Sequence, residues 1–354
     1  MIEFDGVSKQ YPGGTTAVSD LDLTIPSGKI TVFVGPSGCG KTTSLRMINR
    51  MVDPTTGTVS IDGDDVARRP AAQLRRTIGY VIQSGGLFPH RTVVDNVATV
   101  PVLDGVGKRQ ARDRARELLE VVGLDASLGD RYPVQLSGGQ QQRVGVARAL
   151  AADPPIMLMD EPFSAVDPVV REDLQNELLR LQAELGKTIV MVTHDIDEAI
   201  KLGDLVAVFA SGGKLAQFSP PAELLADPAD DFVAGLVGRD RGYRGLSFLS
   251  ADDLELQSID SSVDGAKLIT DAGRPVGWQD GAGLNPDVGT YTEGATLRTV
   301  VDQILLSAVG AAVRVDGDGR AVGLALQSEV IAQAQEREPR DRIPGEPVAP
   351  ENGV

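Results

Sequence analysis

The chain has 354 residues, with 34 Lys or Arg, 50 Asp or Glu and two His, a formal net charge of −16 that argues against a protein that coats nucleic acid. Its one cysteine, Cys39, excludes an internal disulfide and a cysteine-cluster metal site, and it fits a reducing compartment. No stretch approaches the ~20 apolar residues that span a bilayer, and no basic segment runs into an apolar one near Met1. The expectation is therefore a cytoplasmic chain whose membrane role, if any, runs through partners.

At ~150 residues per domain, two domains are expected. Residues 2–7 alternate apolar and polar side chains and predict a half-exposed strand, as do residues 58–61 further on. Residues 30–34 are continuously apolar, the pattern of a strand buried on both faces of a parallel sheet. Directly after them, Gly35-Pro36-Ser37-Gly38-Cys39-Gly40-Lys41-Thr42 fits the phosphate-loop pattern and leads into a helix predicted at 43–51. The glycines let backbone N–H groups close around phosphates, Lys41 reaches the terminal phosphates, and Thr42 offers a hydroxyl to Mg²⁺.

Residues 109–122 and 169–185 carry apolar side chains at helical spacing, for example Leu174, Leu178, Leu181 and Leu185. Between them, Leu136-Ser137-Gly138-Gly139-Gln140-Gln141-Gln142-Arg143 precedes an alanine-rich helix predicted at 144–151. Ser137 and the glycine N–H groups there form a second anion-binding helix start. A second buried run, 156–159, ends in Asp160-Glu161, on the strand edge where parallel sheets collect ligands. An acidic helix cap after a strand would look the same. Beside a phosphate loop, Asp160 is expected to hold Mg²⁺ and Glu161 to polarise the water that attacks a γ-phosphate. The third buried run, 188–192, leads to Thr193-His194-Asp195; a lone His is more often structural, but this strand end favours a γ-phosphate contact.

The glycines of residues 238–245 mark a break, and beyond it the long apolar strands cease. The division read from the sequence is 1–240, 241–335 and a charged tail at 336–354 whose four prolines predict disorder. The second part repeats itself: Gly273-Arg274-Pro275-Val276-Gly277 recurs 46 residues later as Gly319-Arg320-Ala321-Val322-Gly323. Around the later copy the pattern reads helix (297–306), strand (311–315), strand (321–325), helix (328–335). A glycine-rich hairpin arising twice by chance is the plainer alternative.

Over residues 1–240 the sequence resembles the ATP-binding subunits of ABC transporters, on motifs that occur in that family's order. These are the phosphate loop, Gln83 before a glycine loop, Leu136-Ser137-Gly138-Gly139-Gln140, Asp160-Glu161, Ser164-Ala165-Val166-Asp167 and His194. The resemblance implies an α/β P-loop NTPase domain with a parallel sheet core, an antiparallel β subdomain and a helical subdomain. It implies ATP and Mg²⁺ as ligands, with nucleotide contacts from the loop residues 35–42, from Thr43 and from Asp167. Two copies would sandwich ATP head to tail, so that Ser137, Gly138, Gly139 and Gln140 act in trans. Tyr11, before Pro12-Gly13, matches the aromatic that stacks on adenine; an exposed strand Tyr is the alternative. Gln83 looks like the residue that senses Mg²⁺ and attacking water while linking to the membrane subunit. A soluble ABC-type ATPase acting on nucleic acid would carry long coiled coils or two fused ATPase domains, and neither is present.

A narrower resemblance rests on Leu45-Arg46-Met47-Ile48-Asn49-Arg50, Ile78-Gly79-Tyr80-Val81-Ile82-Gln83, Gly86-Leu87-Phe88-Pro89-His90 and Asn96-Val97-Ala98-Thr99-Val100-Pro101. These segments look like the ATPases of importers for quaternary-amine osmoprotectants such as glycine betaine, choline and carnitine. The implied partners are transmembrane permease subunits and, through them, an extracytoplasmic solute-binding protein. Such ATPases often end in paired CBS modules, and the 46-residue repeat resembles that pair as a smaller α+β regulatory domain. Its first module is degenerate, because residues 249–263 lack a clean amphipathic helix.

Overall fold

The computed structural model describes residues 1–82, 86–164 and 166–337, and divides into two units, Met1–Gly238 and Arg239–Val354. Gln83 and Ala165 lie outside the described residues, as does the expected tail from residue 338 on.

The first unit opens with β1 (Ile2–Gln10), β2 (Thr16–Ile25), β3 (Ile30–Val34), α1 (Lys41–Ile48), β4 (Thr56–Ile61) and β5 (Asp64–Asp65). Four of these strands form an antiparallel sheet ordered β2-β1-β4-β5. Then α2 (Ala71–Arg76) leads to β6 (Ile78–Val81), and α3 (Val93–Val97), α4 (Thr99–Leu103), α5 (Lys108–Val121) and α6 (Gly138–Leu150) form the helical insert. The chain continues through β7 (Ile156–Asp160), α7 (Pro168–Leu185), β8 (Thr188–Val192), α8 (Ile196–Leu202), β9 (Leu205–Ala210), β10 (Lys214–Ser219), α9 (Pro221–Ala226) and α10 (Asp231–Val237). The main sheet is ordered β10-β9-β3-β8-β7-β6, parallel except for β10.

Every residue of β3, β7 and β8 is buried, as their unbroken apolar runs predict for strands covered on both faces. Side chains alternate between two cores. Val32, Val34, Met157 and Met159 pack with the helical insert, whereas Phe33, Leu158, Val190 and Val192 pack toward β1, β2 and β4. Each such burial contributes ~1.5–3 kcal/mol, which keeps the central strands rigid under the loops at their C-terminal ends.

Two helix starts differ from the sequence reading. Gly40 takes φ +99° and ends the phosphate loop, so α1 begins at Lys41 rather than residue 43, and it stops at Ile48 before the left-handed Arg50. The alanine-rich helix, expected from 144, begins at Gly138, because Ser137 caps it and turns the two glycines into its first helical residues.

The second unit contains α11 (Arg241–Gly245), β11 (Ser262–Val263), β12 (Ala266–Asp271), β13 (Arg274–Gln279) and β14 (Leu284–Asn285). It ends with β15 (Gly289–Thr292), α12 (Leu297–Leu306), β16 (Ala311–Val315), β17 (Ala321–Leu326) and α13 (Gln327–Arg337). The first four strands make an antiparallel sheet; in the second sheet β15 runs parallel and β17 antiparallel to β16. The two repeat hairpins meet reciprocally. The Arg320 side chain lies over Gly273, and Arg274 Nε is the nearest neighbour of the space above Gly319. The Ala321 N–H donates to the Gly273 carbonyl at 2.9 Å, and the equivalent bond in the first copy is impossible because Pro275 has no N–H. The second copy lies between α12 and α13; ahead of the first lie the five-residue α11, a 3₁₀ turn at Leu246–Phe248 and, among the described residues, chain without a helix up to β11.

Candidate functional site

The phosphate loop emerges from β3 with its path fixed by glycines. At Gly35 a Cβ would come within 2.2 Å of the Phe209 carbonyl oxygen, and at Gly40 within 2.1 Å of that of Ala17, both at positive φ. At both positions the chain thus passes too close to backbone for any side chain, and between them the Cys39 N–H turns back to the Pro36 carbonyl at 3.4 Å. Lys41 is buried, and its ammonium donates to the carbonyls of Gly35 at 2.7 Å and Pro36 at 2.9 Å. A cation held by loop carbonyls at this spot marks where anionic oxygens would be received. The Cys39 side chain instead turns inward to the core beneath the loop.

β7 lies beside β8, which lies beside β3, so the three strand ends share one edge of the sheet. Asp160 closes β7, is 7% exposed, and accepts from the Thr42 hydroxyl at 3.0 Å through Oδ1. Its Oδ2 receives the Arg46 guanidinium at 3.2 Å and the Tyr80 hydroxyl at 3.4 Å. Burial holds the Tyr80 phenol above its ordinary range, and its hydrogen bond is the leading cause that raises Arg46. Glu161 follows in the left-handed region at φ +48°, costing on the order of 1–3 kcal/mol. The conformation is held because its N–H donates to Val192 at 3.0 Å and its carbonyl accepts from the Ser164 hydroxyl at 3.0 Å. That twist brings Glu161 Oε2 to 3.2 Å from His194 Nδ1 across the strand ends.

Ser137 and Gln140 form a reciprocal cap at the start of the 13-residue α6: the Gln140 N–H donates to Ser137 Oγ at 3.2 Å, and the Ser137 N–H to Gln140 Oε1 at 3.0 Å. Tyr11 is exposed in a turn closed by its own N–H to Thr15, with the Lys9 ammonium 5.3 Å from its ring centre.

A family model described as ABC transporter matches residues 18–164. The choline transport ATP-binding protein OpuBA of Bacillus subtilis is 40% identical over 94% of this chain and 95% of its own. The glycine betaine/carnitine/choline transport ATP-binding protein OpuCA of the same organism is 39% identical with the same coverage. This chain belongs to the ABC transporter ATP-binding proteins. Among solved structures, the dimeric post-hydrolysis state of an ATP-binding cassette bound to ADP and Pi superposes with a TM-score of 0.57. It is 35% identical, over 62% of this chain and 99% of that one. The chain is thus an ATP-binding cassette and an ATPase, with the P-loop NTPase fold expected of it.

In this cassette the loop residues 35–42, Thr43, Asp160, Glu161 and His194 lie at the C-terminal ends of three adjacent strands. Ser137, Gly138, Gly139 and Gln140 open a helix of the insert. Asp167 is exposed at the start of α7, and Gln83 lies outside the described residues. Arg46 and Tyr80, which share Asp160 with Thr42, escape a reading by motif. Arg46 stands one helical turn after Thr42, a signal visible only once α1 is known to begin at Lys41. Tyr80 reaches Asp160 because β6 pairs with β7, a neighbourhood that no local spacing reveals.

Proposed function

We propose that this ATPase is the energy-coupling subunit of an importer for quaternary-amine osmoprotectants, of the glycine betaine, choline and carnitine class. The observation that carries the reading is the likeness to the choline and glycine betaine/carnitine/choline transport proteins, which runs through both units. Two copies would close head to tail over ATP, dock on transmembrane permease subunits at the cytoplasmic face, and meet cargo only through an extracytoplasmic solute-binding protein. Among the described residues no helix is long and apolar enough to cross a membrane itself. The test is uptake by the assembled transporter in ATP-loaded liposomes. Saturable, ATP-dependent entry of betaine, choline or carnitine is expected, and active hydrolysis with no uptake of any of the three would refute the cargo assignment.

The residues fit Mg²⁺. Thr42 Oγ1 and Asp160 Oδ1 are hard oxygen donors 3.0 Å apart, and such a pair suits a cation that takes its remaining ligands from phosphate and water. When bound, the ion would neutralise charge on the β- and γ-phosphate oxygens. Lys41 exchanges its loop carbonyls for the terminal phosphates, and the exposed Tyr11 ring stacks on adenine. Glu161, aimed by its left-handed backbone, takes the proton of the attacking water, and His194 holds both Glu161 and the γ-phosphate. From the partner copy, the Ser137 hydroxyl and the first N–H groups of α6 close on that phosphate. Asp167 and Gln83 complete the family's set. Glu161→Gln keeps ATP binding and traps closed dimers while turnover falls by orders of magnitude. Steady-state hydrolysis within about threefold of wild type in the assembled transporter would remove Glu161 as the base.

The second unit is read as a degenerate CBS-like pair that regulates this cycle. The reciprocal seating of its two hairpins supports the pair, and the absence, among the described residues, of a helix between Leu249 and Val263 agrees with a degenerate first module.

A further inference from the structure

His194 has an exposed side chain, 59% accessible, so packing does not aim it; its direction is set by the backbone on either side and by Glu161. Both flanking residues are fixed by one hydroxyl. Thr193 Oγ1 accepts from the Asp195 N–H at 3.0 Å and donates to Glu198 Oε2 at 2.6 Å. Thr193 and Glu198 are buried, at 2% and 5% exposure. Burial pushes the Glu198 carboxyl above its ordinary range, and the Thr193 hydrogen bond and then the Arg171 charge work against that. Gln175 Nε2 donates to Glu198 Oε1 at 3.5 Å, and Arg171 Nη1 lies 4.0 Å from the same oxygen. That guanidinium also lies 3.8 Å from Asp195 Oδ2, and its Nη2 donates to the Val166 carbonyl at 3.3 Å. Val166 and Asp167 belong to the turn that opens α7, and the Arg171 N–H donates to the Asp167 carbonyl at 2.8 Å.

We propose that Glu198 and Arg171 are positioning residues for His194: Glu198 acts through Thr193 to hold the strand end, and Arg171 ties that end to the Val166-Asp167 turn. The proposal rests on the reading of His194 given above and adds what holds it in place. The rival is a buried cluster that merely caps α8, which would affect stability and leave the imidazole untouched.

The chain has two histidines, so ¹⁵N-histidine NMR of the full-length protein in the His90→Gln background reports His194 alone. Thr193→Val should shift the His194 imidazole resonances and lower kcat about tenfold, since small displacements of a catalytic group are costly, with KM for ATP within about twofold. Thr193→Ser, which keeps the hydroxyl, should restore both. Glu198→Met, which keeps the Thr193–Asp195 bond, and Arg171→Met should each shift the same resonances, and they carry the test if Thr193→Val fails to fold. Unchanged imidazole signals in a folded Thr193→Val, Glu198→Met or Arg171→Met protein, or failure of Thr193→Ser to rescue, would overturn the proposal. If His194→Ala leaves hydrolysis intact, the catalytic reading of His194 falls, while the resonance shifts still decide whether Glu198 and Arg171 position it.

Discussion

Gly40 admits no other residue in the nucleotide loop, since its φ of +99° and the Ala17 carbonyl 2.1 Å from a would-be Cβ both exclude a side chain. Gly40→Ala must therefore move the loop off the β1–β2 hairpin or the start of α1 off its axis. The strain is on the order of 1–3 kcal/mol, and it falls on the backbone of the loop proposed to hold the phosphates. We expect a lower Tm together with at least tenfold weaker binding of a fluorescent ATP analogue, measured by titration; native affinity in the variant would mean that the loop adapts. The loop, Asp160-Glu161 and His194 were legible because each follows a buried apolar run directly, so local order alone places them on one sheet edge. The Arg46, Tyr80 and Glu198 contacts were not, because they depend on which strand lies beside which and on where a helix begins.

The start of α6 combines two demands in one hydroxyl. Ser137 Oγ accepts the Gln140 N–H and so caps the helix, while the functional reading gives the same oxygen a γ-phosphate on the partner copy. Substitution can separate these duties. Ser137→Ala loses both, at a cost of about 1 kcal/mol for the cap. Ser137→Asn keeps a good cap with a longer, branched amide, so its Tm should stay near wild type while ATP hydrolysis falls at least tenfold, as expected when a donor to developing charge is misplaced. Thermal unfolding and steady-state turnover measured side by side check this, and wild-type turnover in Ser137→Asn would confine Ser137 to capping. α6 begins six residues before the expected residue 144, because Gly138-Gly139 has the local look of a turn. Gly138 and Gly139 are helical because the reciprocal Ser137–Gln140 cap fixes the first turn. In the second unit the helix and strands of the later repeat were legible from their periodicity, and α12 and β16 fall at the expected residues. The earlier copy keeps only its hairpin, whose glycine turn is a local signal.

At the scale of the whole molecule, every residue assigned to the ATP site lies between Tyr11 and His194, within a unit that buries its own core on both faces of its main sheet. The second unit has separate small cores, and among the described residues no cluster of His, Cys, Asp or Glu there could hold a metal. Residues 241–354 carry a net charge of −8, equal to that of the first 240 residues in half the length. If this unit regulates hydrolysis in response to ionic strength, anionic lipid is the wrong partner for so acidic a surface. The physical route open to it is repulsion between carboxylate-rich surfaces, whose range shrinks to roughly 8 Å at physiological salt. A chain ending at Gly238, assembled with permease subunits in liposomes, should therefore keep basal hydrolysis within about twofold and lose the salt response. The full chain's response should be the same with and without anionic lipid across the salt series. Loss of basal hydrolysis in the folded, permease-bound truncation would overturn the regulatory reading, and a salt response that requires anionic lipid would overturn the charge argument.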